Sequence, residues 1–274
     1  MKKIGSIVLC LWCCASSLMA QSYDEWVNRG MDAIDQKNLL EAENCFKSAL
    51  KKDPTHLKNA LVLANLGTVQ RRLDKKKEAL QSYTLSLNYT PYSIPVLLDR
   101  ASLYLDLDLL DPAYTDYCQV IDLDRKNKEA LQFRAYIYMR RREYSQARLD
   151  YQALLAVEPG NLTARFGRAM VLQKEKKYEA ALEAMNQLIV DYPKEVAYLK
   201  ARAYLEVDMM HLDMALLDLE SAAKLAPADA EIYVLCGEIY LQQQKKREAY
   251  MAFEKAIELG VPRPELQDRL KAAK

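Results

Sequence analysis

Three observations predict an all-α chain assembled from stacked helix pairs. Small and large apolar residues recur with a period of 34, glycine is scarce at 7 of 274 residues, and 51% hydrophobic residues accompany 28% charged ones. A fixed period of that length marks a repeat architecture, in which each unit leaves one face bare and buries it on a neighbour. Scarce glycine argues against turn-dense β folds and phosphate-cradling loops. The apolar fraction is ample for a core and excludes wholesale disorder.

The period is read from named positions. Gly30, Gly67, Ala101, Ala135, Ala169, Ala203 and Gly237 are spaced by 37 residues once and by 34 thereafter. Twelve residues after each stands an alanine: Ala42, Ala79, Ala113, Ala147, Ala181, Ala215 and Ala249. Four further on comes a large apolar residue, namely Phe46, Tyr83, Tyr117, Tyr151, Met185, Leu219 and Phe253. Eight beyond that stand Pro54, Pro91, Pro159, Pro193 and Pro227, with Arg125 and Val261 departing in the third and seventh copies. Small residues let two helices of a pair approach closely, and the large one fills the wedge between successive pairs.

This pattern resembles the tetratricopeptide repeat (TPR), a helix-turn-helix of 34 residues with small residues at positions 8 and 20, an aromatic at 24 and proline at 32. The resemblance covers residues 23–263 and implies a right-handed α-solenoid of about seven repeats. They are placed at 23–56, 60–93, 94–127, 128–161, 162–195, 196–229 and 230–263, with Leu57 to Asn59 as three extra residues. Asp111-Pro112 reads as an N-cap followed by proline at the first helical position of the second helix of repeat 3, and Ser145 and Asp213 hold the same cap position in repeats 4 and 6. Residues 264–274 set Leu266 and Leu270 on one face, the spacing of a short C-terminal capping helix. So thin a cap leaves end-to-end self-association open.

Residues 1–20 differ in kind from the rest. Met1-Lys2-Lys3 is followed by an uncharged run from Ile4 to Ala15 and closed by Ser16-Ser17-Leu18-Met19-Ala20, the order of a secretory signal peptide cleaved after Ala20. The expectation is an exported protein of a bacterial periplasm or cell envelope, with retention of the segment as an anchor as the alternative. Cys10, Cys13 and Cys14 leave with it. Cys45, Cys118 and Cys236 remain, an odd and widely spaced set that predicts buried free thiols rather than a disulfide framework.

Composition excludes much chemistry. With 39 basic and 38 acidic residues there is no electrostatic reason to expect nucleic acid, and two histidines leave little for histidine catalysis or metal sites. No phosphate-binding loop, dinucleotide fingerprint, nucleophile elbow or zinc-protease motif is present, so neither an enzyme nor a cofactor is expected. Arg29, Arg100, Arg134, Arg168 and Arg202 stand at position 7, and Asp116, Asp150 and Asp218 at position 23 of repeats that also carry the arginine. The reading is a packing ion pair, either within a repeat (Arg100 with Asp116, Arg134 with Asp150, Arg202 with Asp218) or from the Asp to the Arg of the next repeat, because a half-buried arginine needs a carboxylate; ligand binding is the alternative. Basic runs at Arg71-Arg72, Lys75 to Lys77, Arg140 to Arg142, Lys174 to Lys177 and Lys245 to Arg247 fall in the turns, where solvation is their ordinary role and a basic edge for an acidic or anionic-lipid partner is the alternative.

A binding function would use the face of the first helices. Positions 2, 5, 9 and 12 share that face by helical spacing. In repeats 4 to 6 it carries Gln132, Tyr136, Met139, Phe166, Met170, Gln173, Lys200 and Tyr204, a cluster suited to a peptide, with Lys200 supplying charge. The competing reading is that adjacent helices cover each other and absorb these side chains. The family's carboxylate clamp for chaperone tails is not expected, since Val27, Met31, Asn65, Pro95 and Asp99 occupy its positions and Asn65 alone matches. The expected function is therefore an exported scaffold binding a protein or peptide partner. A structural subunit of an envelope or secretion complex and a glycan-binding protein are the alternatives, and membrane contact is expected only through an uncleaved signal or such a complex.

Overall fold

The computed structural model describes residues 21–274, so the leader expected at residues 1–20 lies outside the described residues. Among the described residues there are fifteen α-helices and no strand. They run in pairs: α1 (Tyr23–Asp35) with α2 (Leu39–Lys52), α3 (Asn59–Arg72) with α4 (Lys76–Tyr89), α5 (Ile94–Asp106) with α6 (Leu110–Leu123), and α7 (Lys128–Arg140) with α8 (Tyr144–Val157). Next come α9 (Leu162–Lys174) with α10 (Tyr178–Asp191), α11 (Val196–Asp208) with α12 (Leu212–Leu225), and α13 (Ala230–Gln242) with α14 (Lys246–Glu258). A final helix, α15 (Arg263–Ala272), follows. The first helix of each pair is called A and the second B. This is an all-α, helical-repeat fold of the solenoid class, and no described helix is long and apolar enough to cross a membrane.

The chain divides into two units, Met1–Leu103 and Tyr104–Lys274. In the first, Tyr23, Ala33, Phe46, Val62, Leu66 and Val69 form a core between α1, α2 and α3. In the second, successive clusters centre on Met185 and Leu188, on Leu219 and Ile239, and on Phe253, the last covered by Leu266 and Leu270 of α15.

The periodic residues explain those cores. All seven alanines from Ala42 to Ala249 at position 20 are fully buried, and so are Phe46, Tyr83, Tyr117, Met185, Leu219 and Phe253 at position 24. Burying a ring of that size contributes about 1.5–3 kcal/mol, which no single pair of helices secures without its neighbour.

The turn from A to B has one construction throughout. Lys37, Asp74, Asp108, Arg142, Lys176, Met210 and Gln244 all take φ between 56° and 62°, the left-handed conformation usually given to glycine. In the first unit the Asp74 N–H then donates to the Arg71 carbonyl at 3.0 Å and the Lys75 N–H to the Gln70 carbonyl at 2.9 Å. Lys176 and Lys177 repeat the arrangement on Gln173 and Leu172, both at 2.9 Å. These two bonds satisfy carbonyls that the helix end would otherwise leave bare.

That turn corrects the expected caps. Helix α6 begins at Leu110 with Leu109 at its N-cap, so Asp111 and Pro112 lie inside the first turn; Ser145 and Asp213 likewise sit within α8 and α12. The residue that ends A also starts B: the Lys75 carbonyl accepts from the Ala79 N–H at 3.0 Å. In these three helices backbone closure replaces the side-chain cap, and Asp111 pairs with Arg141.

Candidate functional site

Helices α7, α9 and α11 pack in succession within the second unit, so their A faces share one surface. Position 9 recurs along it as Tyr136, Met170 and Tyr204. Tyr136 and Tyr204 are exposed at 41% and 39%, high for rings on packed helices. The Arg140 Nη1 donates to the Tyr136 hydroxyl at 2.8 Å, while its Nη2 reaches Asp108 at 2.9 Å. The Tyr204 hydroxyl donates to Glu231 Oε1 at 3.1 Å; burial and then the Glu231 carboxylate push its pKa up to about 12, so it stays protonated.

The other predicted residues fare differently. Gln132 and Met139 are half-buried. Phe166 and Met170 pack onto the core around Ala169 and Met185, and the Phe166 ring lies 5.2 Å from that of Tyr198, tilted by 36°. Gln173 is buried and donates through Nε2 to Asp208 at 2.7 Å. Lys200 is held by Asp229 at 2.9 Å and by Glu231, so its charge ties α11 to the start of α13 instead of standing free. The structure thus leaves Tyr136 and Tyr204 exposed, keeps Gln132 and Met139 half-buried, and draws Phe166, Met170, Gln173 and Lys200 into contacts between neighbouring pairs.

The arginine at position 7 bridges three helices. Arg134 meets Asp150 on α8 through Nε at 2.8 Å and Nη2 at 2.7 Å, and its Nη1 reaches Cys118 Sγ on α6 at 3.6 Å. Arg202 repeats this with Asp218 on α12 at 2.8 and 2.6 Å and with Asn186 on α10 at 2.7 Å. In the first unit, Arg100 donates to Thr84 at 3.2 Å, the same step back to the preceding B helix. The basic turns are partly neutralised locally, as in the Lys177 bond to Glu175 at 2.6 Å.

A further apolar surface escaped the sequence reading. In the first unit, Leu61, Ala64, Ser86, Tyr92 and Val96 line a recess of about 540 Å³. Among the described residues no cluster of three or more His, Cys, Asp and Glu could hold a metal. Cys45 is buried as a free thiol, while Cys118 and Cys236 are only partly buried, so the expectation of buried thiols holds fully for one of the three.

Comparison with known proteins agrees with this construction. The tetratricopeptide repeat family matches residues 134–196 and 230–259. Human RNA polymerase II-associated protein 3 is 26% identical over 184 residues, covering 65% of this chain and 26% of its own length. Human DnaJ homolog subfamily C member 7 is 28% identical over 146 residues, covering 53% of this chain and 28% of its own length. The chain spans about a quarter of the length of these curated relatives. YrrB, described as a TPR protein with an unusual peptide-binding site, shares the fold with a TM-score of 0.53 at 18% identity over 69% of this chain and 96% of its own. A tetratricopeptide repeat protein from Parabacteroides merdae ATCC 43184 is 33% identical with a TM-score of 0.72, covering 92% of this chain and 99% of its own. With that identity along nearly all of both chains, and the small and large apolar positions of the repeat buried in every helix pair, the chain belongs to the tetratricopeptide repeat family.

Proposed function

We propose that this protein is an exported interaction scaffold that holds a peptide segment of a protein partner on the A-helix face of repeats 4 to 6. The observation that carries the reading is the recurrence of Tyr136, Met170 and Tyr204 at one register position on three successive A helices, with both tyrosine rings exposed and Met170 packed against the core. Such rings offer broad apolar contact with a polar tip, the residue type enriched in binding hot spots. Arg140 and Glu231 hold the two hydroxyls, and each is itself paired, with Asp108 and Lys200 respectively, which fixes the orientation of both rings. The export part of the proposal rests on the order of residues 1–20.

Affinity capture from envelope extract tests it. Tyr136→Ala and Tyr204→Ala are each expected to weaken capture of a discrete partner by about 2 kcal/mol with helicity unchanged. Lys76→Glu, in a basic turn, is the control expected to capture normally. If the control loses the partner while both tyrosine variants keep it, the binding surface is the turn edge and the reading is wrong.

A further inference from the structure

One contact on the A face leaves a buried acceptor unpaired. Gln173 on α9 is 5% exposed, and its Nε2 donates to the Asp208 carboxylate on α11 at 2.7 Å. A carboxylate offers only acceptors, so the amide has to turn its NH2 group toward Asp208 and its carbonyl away. Among the described residues the buried Gln173 Oε1 then finds no donor. A buried acceptor without a partner lowers stability, and such exceptions concentrate where a protein holds a group for function. The group held here is Asp208, an exposed residue gripped by a side chain that is itself packed in place.

Asp208 also has the wrong charge for its position. It ends α11, where the carbonyl end of the helix dipole favours a cation. The same register position carries Arg140 at the end of α7 and Lys174 at the end of α9. Arg140 is neutralised by Asp108. Among the described residues neither Asp208 nor Lys174 takes part in an ion pair, and Gln173 holds only one of the two Asp208 oxygens. Asp208 follows Tyr204 by four residues and Gln173 follows Met170 by three, so the pair extends the stripe of exposed rings by one helical turn.

We propose that Asp208, oriented by Gln173, receives a lysine or arginine of the partner segment, next to an apolar side chain seated at Tyr204. The proposal rests on the A-helix reading and adds the charge of its ligand. A cation there meets the carboxylate and the C-terminus of α11 together, in a charge-assisted hydrogen bond. An acidic segment would meet both with like charge. Asp208 is the contacting residue, and Gln173 is a positioning residue that acts through it.

The test pans a random peptide library displayed on phage against the full chain, and follows one enriched, labelled peptide by anisotropy. Enriched peptides are expected to share a lysine or arginine at a fixed spacing from an apolar residue, and to bind more weakly as salt rises. Asp208→Asn is expected to lower affinity about tenfold and Gln173→Met to lower it in the same sense. Neither variant should alter the affinity of the same peptide carrying norleucine in place of its cation, a selectivity that a merely structural role would not produce. The thermal midpoint of Gln173→Met is expected not to fall, because the unpaired carbonyl leaves with the amide. Lys174→Ala, which removes the basic residue at the same register position of α9, should not weaken binding. Enrichment of acidic peptides, or undiminished affinity of Asp208→Asn for the cationic peptide, overturns the proposal; if binding is still lost in Tyr136→Ala and Tyr204→Ala, the A-helix reading survives that failure. Cation-dependent binding that persists in both tyrosine variants instead sinks the A-helix reading and leaves the Asp208 subsite. An absence of any enriched peptide overturns both.

Discussion

Arg134 and Asp150 join α7 to α8 through two parallel hydrogen bonds, with side chains only 18% and 7% exposed. The bonded carboxylate holds the guanidinium pKa above its ordinary value, although burial opposes this. Removing the acid strands a shielded cation. Asp150→Ala is therefore expected to cost about 3–5 kcal/mol in urea unfolding, whereas Arg134→Met with Asp150→Leu is expected to be near neutral. A loss within experimental error for Asp150→Ala alone would show that the arginine is adequately hydrated without its partner.

Gly67 marks how closely A and B approach in the first unit. A Cβ there would stand 2.7 Å from two carbons of the fully buried Tyr83 ring. Gly67→Ala gains about 1 kcal/mol of helix propensity but forces that ring aside, at a cost of about 1–3 kcal/mol, so no gain in stability is expected. Ala147→Leu, at a fully buried position of the second unit, is expected to lose about 1–3 kcal/mol without compensation. Lys176→Ala, on the surface, should stay within about 0.5 kcal/mol. Thermal unfolding of the three variants checks the order.

Met210 occupies the left-handed turn position with φ of 62° while its side chain is 71% exposed. Met210→Gly relieves the Cβ crowding and is expected to stabilise by up to about 1 kcal/mol, after the extra chain entropy of glycine is counted. Met210→Ala keeps the Cβ and should show no gain. Chemical denaturation of both variants settles whether the backbone or the methionine side chain matters at this turn.

Glu43 is 3% exposed and accepts hydrogen bonds from Lys47 and Lys75, each at 2.6 Å. Burial alone would raise its pKa, but the two ammonium groups hold it below the ordinary carboxylate range. The folded-state pKa is thus depressed. Its contribution is present above the unfolded value of about 4.3 and is lost as pH falls through the lower folded value. Glu43→Gln is expected to flatten the acid limb of a stability profile recorded below that unfolded value. An acid limb as steep as that of the unsubstituted chain would assign the effect to other carboxylates.

The 34-residue period by itself determined the helix pairs, the buried alanines and rings, and the positions facing along the A helices. Those features follow from repetition, since a residue recurring in phase must meet the same neighbour each time. Sequence also singled out the Arg-Asp pairs, because a half-buried arginine demands an acid, and Arg134 with Asp150 and Arg202 with Asp218 are joined.

Tertiary structure alone decided which A-face residues remain accessible. Lys200 was visible as a groove charge, but Asp229 and Glu231 that bind it come from around the start of the next A helix. The start of α6 at Leu110 was equally hidden, because a left-handed backbone at Asp108 carries no residue signature when glycine is absent. Periodicity names neighbours; only packing in three dimensions determines whether a side chain fills the gap between them.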